Sequence, residues 1–217
     1  SKLGGYPVVA IGNSAFKQAD EVTSFVIPET VTSIGDGAFF GCYTMTSINI
    51  PEKVISIRDY AFCGASSLTS ITIPTNVISI GDNAFASCRS LESVVIPDSV
   101  RMVGDSAFRA CESLSSAVVS NSIDNIGEYT FFGCYALENI EIPESVLSIG
   151  NNSFEGCSSL VNVVIPDKVT KIGNNAFAGC NLLEGVVIPE SVTELGDRSF
   201  LGCQKLTAFY GKFSSTD

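Results

Sequence analysis

The chain has 217 residues, 45% of them hydrophobic, and 12 basic side chains stand against 23 acidic ones, which gives a net charge of −11. Lysine and arginine form no cluster, so the chain lacks the basic patch through which proteins bind nucleic acid or anionic lipid. Its apolar runs are only a few residues long, far short of the roughly 18 to 20 that cross a bilayer. We therefore predict no nucleic-acid partner and no membrane insertion, and we attribute the acidic surface to solubility.

A phenylalanine recurs every 23 residues without an insertion or deletion. The series is Phe16, Phe39, Phe62, Phe85, Phe108, Phe131, Phe154, Phe177 and Phe200. A fixed period of this length is typical of a solenoid, in which each repeat buries its apolar side only against its neighbours. We predict a partial first repeat at residues 1–15, a solenoid of about nine repeats at 16–210, and an exit segment at 211–217 that leads toward a following domain.

Each repeat starts with a predicted strand. In the segment 68–74, polar and apolar residues alternate from Ser70 to Ile73, and Pro74 ends the strand. Equivalent segments run from residues 22–27 to residues 206–210. We predict that these strands are parallel and that the solenoid is right-handed, because crossover connections between parallel strands have that hand.

A second motif, V-x-x-I-G, follows the strand in most repeats, as at Val100, Val103 and Gly104. Its two apolar residues complete the predicted inner wall, and its glycine indicates a corner that needs positive φ or a close backbone approach. Arg58 replaces that glycine once. The next residue is Asp, Asn or Glu and precedes A-F-x-x-C, which is an N-cap pattern and predicts a short helical or 3₁₀ turn.

The complete unit, L-x-x-I-x-I-P-x-x-V-x-x-I-G-x-x-A-F-x-x-C, resembles the BspA-type leucine-rich repeat, as in residues 68–88 or 160–180. The resemblance covers nearly the whole chain, with nine positions in register. Residues 5–8 and 209–213 look like the segments that flank such arrays in bacterial surface proteins. The resemblance implies an extracellular or cell-surface protein that takes part in adhesion and protein binding, and it implies no catalytic residue. The first residues show no signal-peptide pattern, so either the protein is intracellular or, as we expect, a targeting segment has been removed from this sequence.

Two repeats depart from the unit. Residues 117–123 replace I-x-I-P-x-x-V and lose the proline and one bulky inward side chain. In the other repeat Arg58 replaces glycine, Cys63 follows Phe62, and Ala65 takes the usual cysteine position. We interpret both as repeat drift, and the alternative is a specialised contact site.

Seven of the eight cysteines stand three residues after a repeat phenylalanine, and Cys63 is the exception. Stacked turns bring equivalent residues to about 4.7–4.9 Å, a distance that disulfides also allow. Equivalent side chains nevertheless point in parallel, so we favour buried free thiols that act as small apolar residues. The chain has no histidine and no C-x-x-C, so we predict no metal site.

Acidic residues form two further series, one at the predicted cap position and one after the strand proline. The second series is Glu29, Glu52, Asp98, Glu144, Asp167 and Glu190. Calcium prefers six to eight oxygen ligands, which such a ladder can supply. The glycine-rich nonapeptide of calcium-binding β-helices is absent, however, so we interpret both series as capping and turn residues and predict no cofactor.

Enzymatic activity is not predicted. Without histidine, the usual general base for a serine or cysteine nucleophile is missing. The many carboxylates allow a glycosidase in principle, but acids in identical exposed turns do not have the unequal environments that such catalysis needs.

The outward positions of the strand form the candidate contact face. If the leucine and isoleucine side chains point inward, one outward column consists of Val26, Asn49, Thr72, Val95, Val118, Glu141, Val164, Val187 and Tyr210. A column of exposed apolar side chains can mark a binding surface, although valine and threonine also favour strands for their own sake. Two hypotheses follow: a module that binds extracellular protein or glycan ligands through this face, and a passive spacer that holds other domains away from the cell.

Overall fold

The computed structural model describes residues 2–3 and 6–211, so residues 212–217 of the predicted exit segment 211–217 lie outside the described residues. The chain forms an elongated solenoid of 23-residue turns, as predicted. Each turn contributes a strand to one parallel ladder, called sheet 1, a strand to a second parallel ladder, called sheet 2, and a series of β-turns, called the turn face. A short antiparallel pair, Lys2–Leu3 with Tyr6–Pro7, precedes the array.

Sheet 1 contains the predicted strand of each repeat. Its strands are Ser24–Val26, Ser47–Asn49, Ser93–Val95, Ser116–Val118, Asn139–Ile140, Gly185–Ile188 and Ala208–Gly211. Asn162 joins both of its neighbours through single bridges, whereas Ser70 joins only the following repeat, at Ser93. The pair Ser24–Val26 and Ser47–Asn49 is therefore separate from the later strands of sheet 1. The register pairs residues 23 apart, for example Ser93 with Ser116, so the parallel ladder is confirmed.

Sheet 2 is a strand position that the sequence pattern does not predict. Its strands are Ala10–Ile11, Ser33–Ile34, Ser56–Ile57, Ser79–Ile80, Met102–Val103, Asn125–Ile126, Ser148–Ile149, Lys171–Ile172 and Glu194–Leu195. They delimit eight successive turns of the solenoid. Each strand is two residues long, too short to show the alternation by which a strand is recognised in a sequence.

The turn face has no helix in the described part of the chain, so the predicted helical turns are wrong. Alternate N–H groups close β-turns within the repeat, as from Ala86 to the carbonyl of Asn83 at 3.1 Å. The intervening N–H groups donate to the next repeat, as from Phe85 to the carbonyl of Ala107 at 2.8 Å. Asn83 and Ser87 have φ of 54° and 60°. These left-handed residues interrupt any run of helical dihedrals and turn every second N–H along the solenoid axis.

The core is a column of stacked phenylalanine rings. From Phe16 to Phe200, consecutive rings are 5.1 to 5.7 Å apart between centroids and are inclined by 3 to 11°. The rings from Phe39 to Phe177 are buried. The inward residues of sheet 1, such as Val94 and Ile96, and of sheet 2, such as Ile80, pack around them. The predicted inner wall is therefore confirmed, with the phenylalanines at its centre.

The predicted N-cap residues link repeats instead of capping helices. Asp82 Oδ1 accepts a hydrogen bond from the backbone N–H of Asp105, the equivalent residue of the next repeat, at 2.9 Å. The same bond joins Asp59 to Asp82 at 2.9 Å. The glycine before each acid makes room for it, because a Cβ on Gly104 would lie 2.4 Å from Asp82 Oδ1. Of the two reasons predicted for this glycine, the close backbone approach is the one the structure bears out.

The repeat without proline interrupts sheet 2. Strands up to Met102–Val103 form one five-stranded sheet, and strands from Asn125–Ile126 onward form a separate four-stranded sheet. Ser120 stands at the proline position, is buried, and donates its hydroxyl hydrogen to the carbonyl of Val100 at 2.6 Å. In this repeat the Ser120 hydroxyl, bound to the Val100 carbonyl, takes the place of the rigid turn that proline forms in the other repeats. The break in sheet 2 occurs at the same repeat.

Candidate functional site

The predicted valine column lies on the outer face of sheet 1. Val26 is 88% exposed, Val95 59%, Val118 54%, Val164 73% and Val187 56%. Val95 and Val118 are direct partners in the ladder. Val95 with Val118 and Val164 with Val187 form two apolar pairs on neighbouring repeats, with the exposed Glu141 between the pairs, and such a group of exposed apolar side chains can mark an interaction surface.

The other members of the column differ in how available their side chains are to a partner. Thr72 and Glu141 are exposed. Asn49 is exposed but already committed, because its Nδ2 donates to the Ile27 carbonyl at 3.1 Å and its Oδ1 accepts from the Ile27 N–H at 2.8 Å. The side chain of Tyr210 lies outside the described residues. The column is thus most open to a partner over the repeats from Val95 to Val187.

A groove opens in sheet 1 beside this column. It has a volume of about 420 Å³ and is lined by residues from two adjacent repeats, Asn139 to Ile142 with Glu144 and Asn162 to Val164 with Pro166. Ile140, Ile142 and Val163 are buried, because they occupy the inward, core-facing positions of sheet 1. The column residues Glu141 and Val164 both line it, so the groove belongs to the same face.

Sheet 2 presents an apolar patch that the sequence analysis does not include. Ile55 is 57% exposed, Ile78 51% and Met102 58%. These residues precede or occupy the two-residue strands of three consecutive repeats. The signal was present in the sequence, because an apolar residue between the two inward positions of V-x-x-I must face outward.

The cysteines form a ladder of thiols, all of them free. Each repeat cysteine donates its S–H to the carbonyl of the phenylalanine 26 residues earlier, as from Cys111 to Phe85 at 3.3 Å. Burial raises the pKa of the Cys111 and Cys134 thiols well above the ordinary value. A protonated, hydrogen-bonded thiol is a poor nucleophile and a poor metal ligand, which agrees with the interpretation of these residues as core.

Thiol reactivity tests this arrangement. Dithionitrobenzoate at neutral pH should modify at most two thiols of the native protein, because Cys63 and Cys203 are only partly buried and the other six are buried. After denaturation without reductant, all eight should react. Cys63→Ser should remove one of the fast-reacting groups and leave the denatured count at seven. A denatured count of two or fewer in the native sequence would reveal a disulfide ladder.

Several carboxylates of the acidic series at the predicted cap position already have partners within the solenoid, because they accept hydrogen bonds from backbone N–H groups of the next repeat. Among the residues that the structure describes, no three acids or cysteines converge as metal ligands would. The same residues include no helix that is long and apolar enough to cross a bilayer.

The sequence matches the family described as the BspA type leucine-rich repeat region, in six copies, over residues 9–138 and 124–215. This match covers nearly the whole chain. The protein therefore belongs to the BspA-type leucine-rich repeat family, as the residue pattern implies. No curated protein matches the sequence.

Solved structures of bacterial leucine-rich repeat proteins share the fold. One from Bacteroides ovatus is 33% identical, with a TM-score of 0.75 over 95% of this chain and 60% of that protein. One from T. pallidum is also 33% identical, with a TM-score of 0.69 over 75% of this chain and 76% of that one. A leucine-rich cell surface protein from Faecalibacterium prausnitzii is 26% identical, with a TM-score of 0.50 over 94% of this chain and 64% of that one. The present chain thus spans less than two thirds of the first of these relatives.

Proposed function

We propose that the chain is a non-enzymatic interaction module of a cell-surface or secreted protein, which binds an extracellular protein or glycan through the outer face of sheet 1. The observation that carries this proposal is the group of half-exposed valines from Val95 to Val187. Exposed apolar side chains on a solenoid cost solubility unless a partner covers them, and solenoids commonly bind through such extended faces.

The family and the similar solved structures support a cell-surface or secreted location for this module. The chain is similar to a protein named as a leucine-rich cell surface protein. The acidic residues recur in equivalent turns, and several of them are tied to backbone N–H groups, so no pair has the contrasting environments of an acid and a base. An interaction module therefore accounts for the surface better than a catalyst does.

Charge placed on the four valines should abolish binding while the fold persists. In the variant Val95→Asp, Val118→Asp, Val164→Asp and Val187→Asp, the added carboxylates would have to be desolvated beneath a ligand, whereas outward positions bury little in the core. Capture of extracellular proteins and glycans from a defined panel should be lost, and circular dichroism should stay nearly unchanged.

The matched control places the same charge on sheet 2, as Ile55→Asp, Ile78→Asp, Met102→Asp and Leu147→Asp. These side chains are 47 to 58% exposed, close to the valines. Binding lost in this control but kept in the valine variant would move the site to sheet 2. If the native chain captures nothing from the panel, the spacer hypothesis replaces the interaction module.

A further inference from the structure

The groove in sheet 1 lies where strand pairing is reduced. Ser116–Val118 pairs with its predecessor over three residues, and it pairs with Asn139–Ile140 over two. The next repeat joins only through the bridges Asn139↔Asn162 and Asn162↔Gly185. Residues of these two repeats line the groove, which has a volume of about 420 Å³. This volume falls within the range of about 300 to 1,000 Å³ that is usual for ligand sites.

The groove combines one exposed apolar side chain with carboxylates. Val164 is 73% exposed and lines it, and Glu141 and Glu144 stand among the other lining residues. Ile140, Ile142 and Val163 also line it, but they are core residues that expose little surface. Among the described residues, neither carboxylate has a hydrogen-bond or ion-pair partner. The ion pairs of the described chain are elsewhere, at Arg58–Asp36, Arg89–Glu112 and Lys171–Glu194.

The surrounding repeats are predominantly acidic. Between Arg109 and Lys168 the sequence contains no lysine or arginine, but it contains eight acidic residues: Glu112, Asp124, Glu128, Glu138, Glu141, Glu144, Glu155 and Asp167. Lys168 follows the lining Pro166 by two residues, and Lys171 pairs with Glu194, so in the described part of the chain the groove lies in a mainly negative field with one unpaired lysine near it in sequence. A field of this kind attracts positively charged partners and repels acidic ones.

We propose that the groove docks an extended basic segment of a partner protein, with a lysine or arginine at Glu141 and Glu144 and an adjoining aliphatic side chain on Val164. This proposal rests on the proposed function, because it selects one site and one class of partner within the same face. A basic protein segment is the occupant that the two unpaired carboxylates favour, since a lysine or arginine forms charge-assisted hydrogen bonds there, which are stronger than those of the hydroxyl groups of an uncharged glycan.

A blocked pentapeptide, Lys-Val-Lys-Val-Lys, is the probe, titrated into the ¹⁵N-labelled chain. Amide shifts should cluster at residues 139–142 and 162–164, and binding should weaken as salt rises from about 50 mM to about 500 mM, because screening shortens the reach of exposed charges. The acidic counterpart Glu-Val-Glu-Val-Glu should cause no such shifts. Shifts that are scattered over the surface, or equal for both peptides, would overturn the proposal.

Matched variants separate a site from general attraction. Glu141→Gln with Glu144→Gln should weaken peptide binding about tenfold, as expected for the loss of two charge pairs. Glu29→Gln with Glu52→Gln removes the same charge from exposed turns outside the groove and should change binding by less than about twofold. Equal losses in the two variants would mean that only net charge matters, and the groove would then not be a site.

The two proposals can fail separately. If the four-valine variant loses its protein ligand while the peptide never binds the groove, the face functions and the basic-segment proposal is wrong. If the peptide binds the groove while the four-valine variant keeps its protein ligand, the groove is a site and the proposed binding face is wrong.

Discussion

Phe108→Ala is expected to destabilise the chain by about 3–5 kcal/mol, the range found when large aromatic core residues are truncated. Phe108 is fully buried and stacks on Phe85 at 5.3 Å and on Phe131 at 5.7 Å. The deletion removes both contacts and leaves a cavity that the neighbouring rings cannot fill without breaking their own register. Chemical denaturation followed by circular dichroism measures the loss.

The damage should also spread along the array, because the stability of a solenoid is roughly a sum of repeat terms and nearest-neighbour terms. Hydrogen exchange should therefore accelerate in the repeats of Phe85 and Phe131 more than in that of Phe177. Ser93→Ala, at an exposed position of sheet 1, is the control and should change stability by less than about 0.5 kcal/mol. Equal loss in both variants would refute the assignment of the ring column as the core.

Gly104→Ala should cost about 1–3 kcal/mol through overpacking. The new Cβ would lie 2.4 Å from Asp82 Oδ1 and 2.5 Å from the Asp82 backbone nitrogen. The backbone cannot move away alone, because Asp82 Oδ1 also holds the N–H of Asp105 at 2.9 Å. The free energy of unfolding, measured in urea, reports the change.

Gly12→Ala is the matched control, since a Cβ there meets nothing within 4 Å. It should be neutral or slightly stabilising, as alanine restricts the unfolded chain. Arg58 shows how the scaffold accommodates a side chain at this position: Asp36 lies beside the guanidinium, 3.3 Å from Arg58 Nε. If Gly104→Ala and Gly12→Ala proved equally mild, the glycine would have no steric role between repeats.

The repeat, its period and its inner wall could be predicted because the residues that pack identically must recur identically. The phenylalanine column and the alternation from Ser70 to Ile73 carry that information directly. The turn face could not be predicted in the same way. An acid two residues before Ala-Phe resembles a helix start. The sequence nevertheless carries a sign of the left-handed residues, because glycine takes the position of Ser87 in six other repeats and has positive φ in each: Gly41, Gly64, Gly133, Gly156, Gly179 and Gly202.

The candidate site likewise has a part that the sequence predicts and a part that it does not. The outward valines follow from strand alternation, so the exposure of Val95 and Val187 was predictable. The groove at Glu141 and Val164 depends on how far two neighbouring strands remain paired, which is a property of the contact between repeats and not of either repeat alone. The patch at Ile55 and Ile78 was overlooked for a simpler reason: only the outward positions of the first strand were considered, although the V-x-x-I motif also places these two residues outward.

Because of the alternating hydrogen bonds of the turn face, each repeat is completed only by the repeat that follows it. On that face, the N–H groups of one repeat, such as that of Phe85, find their acceptors in the repeat that follows. A turn that has just left the ribosome or a secretion channel therefore stays incomplete until another 23 residues have emerged. At a synthesis rate of about 5–20 residues per second, this delay is roughly one to five seconds. The growing end of the solenoid thus carries one turn with unpaired N–H groups on this face throughout synthesis.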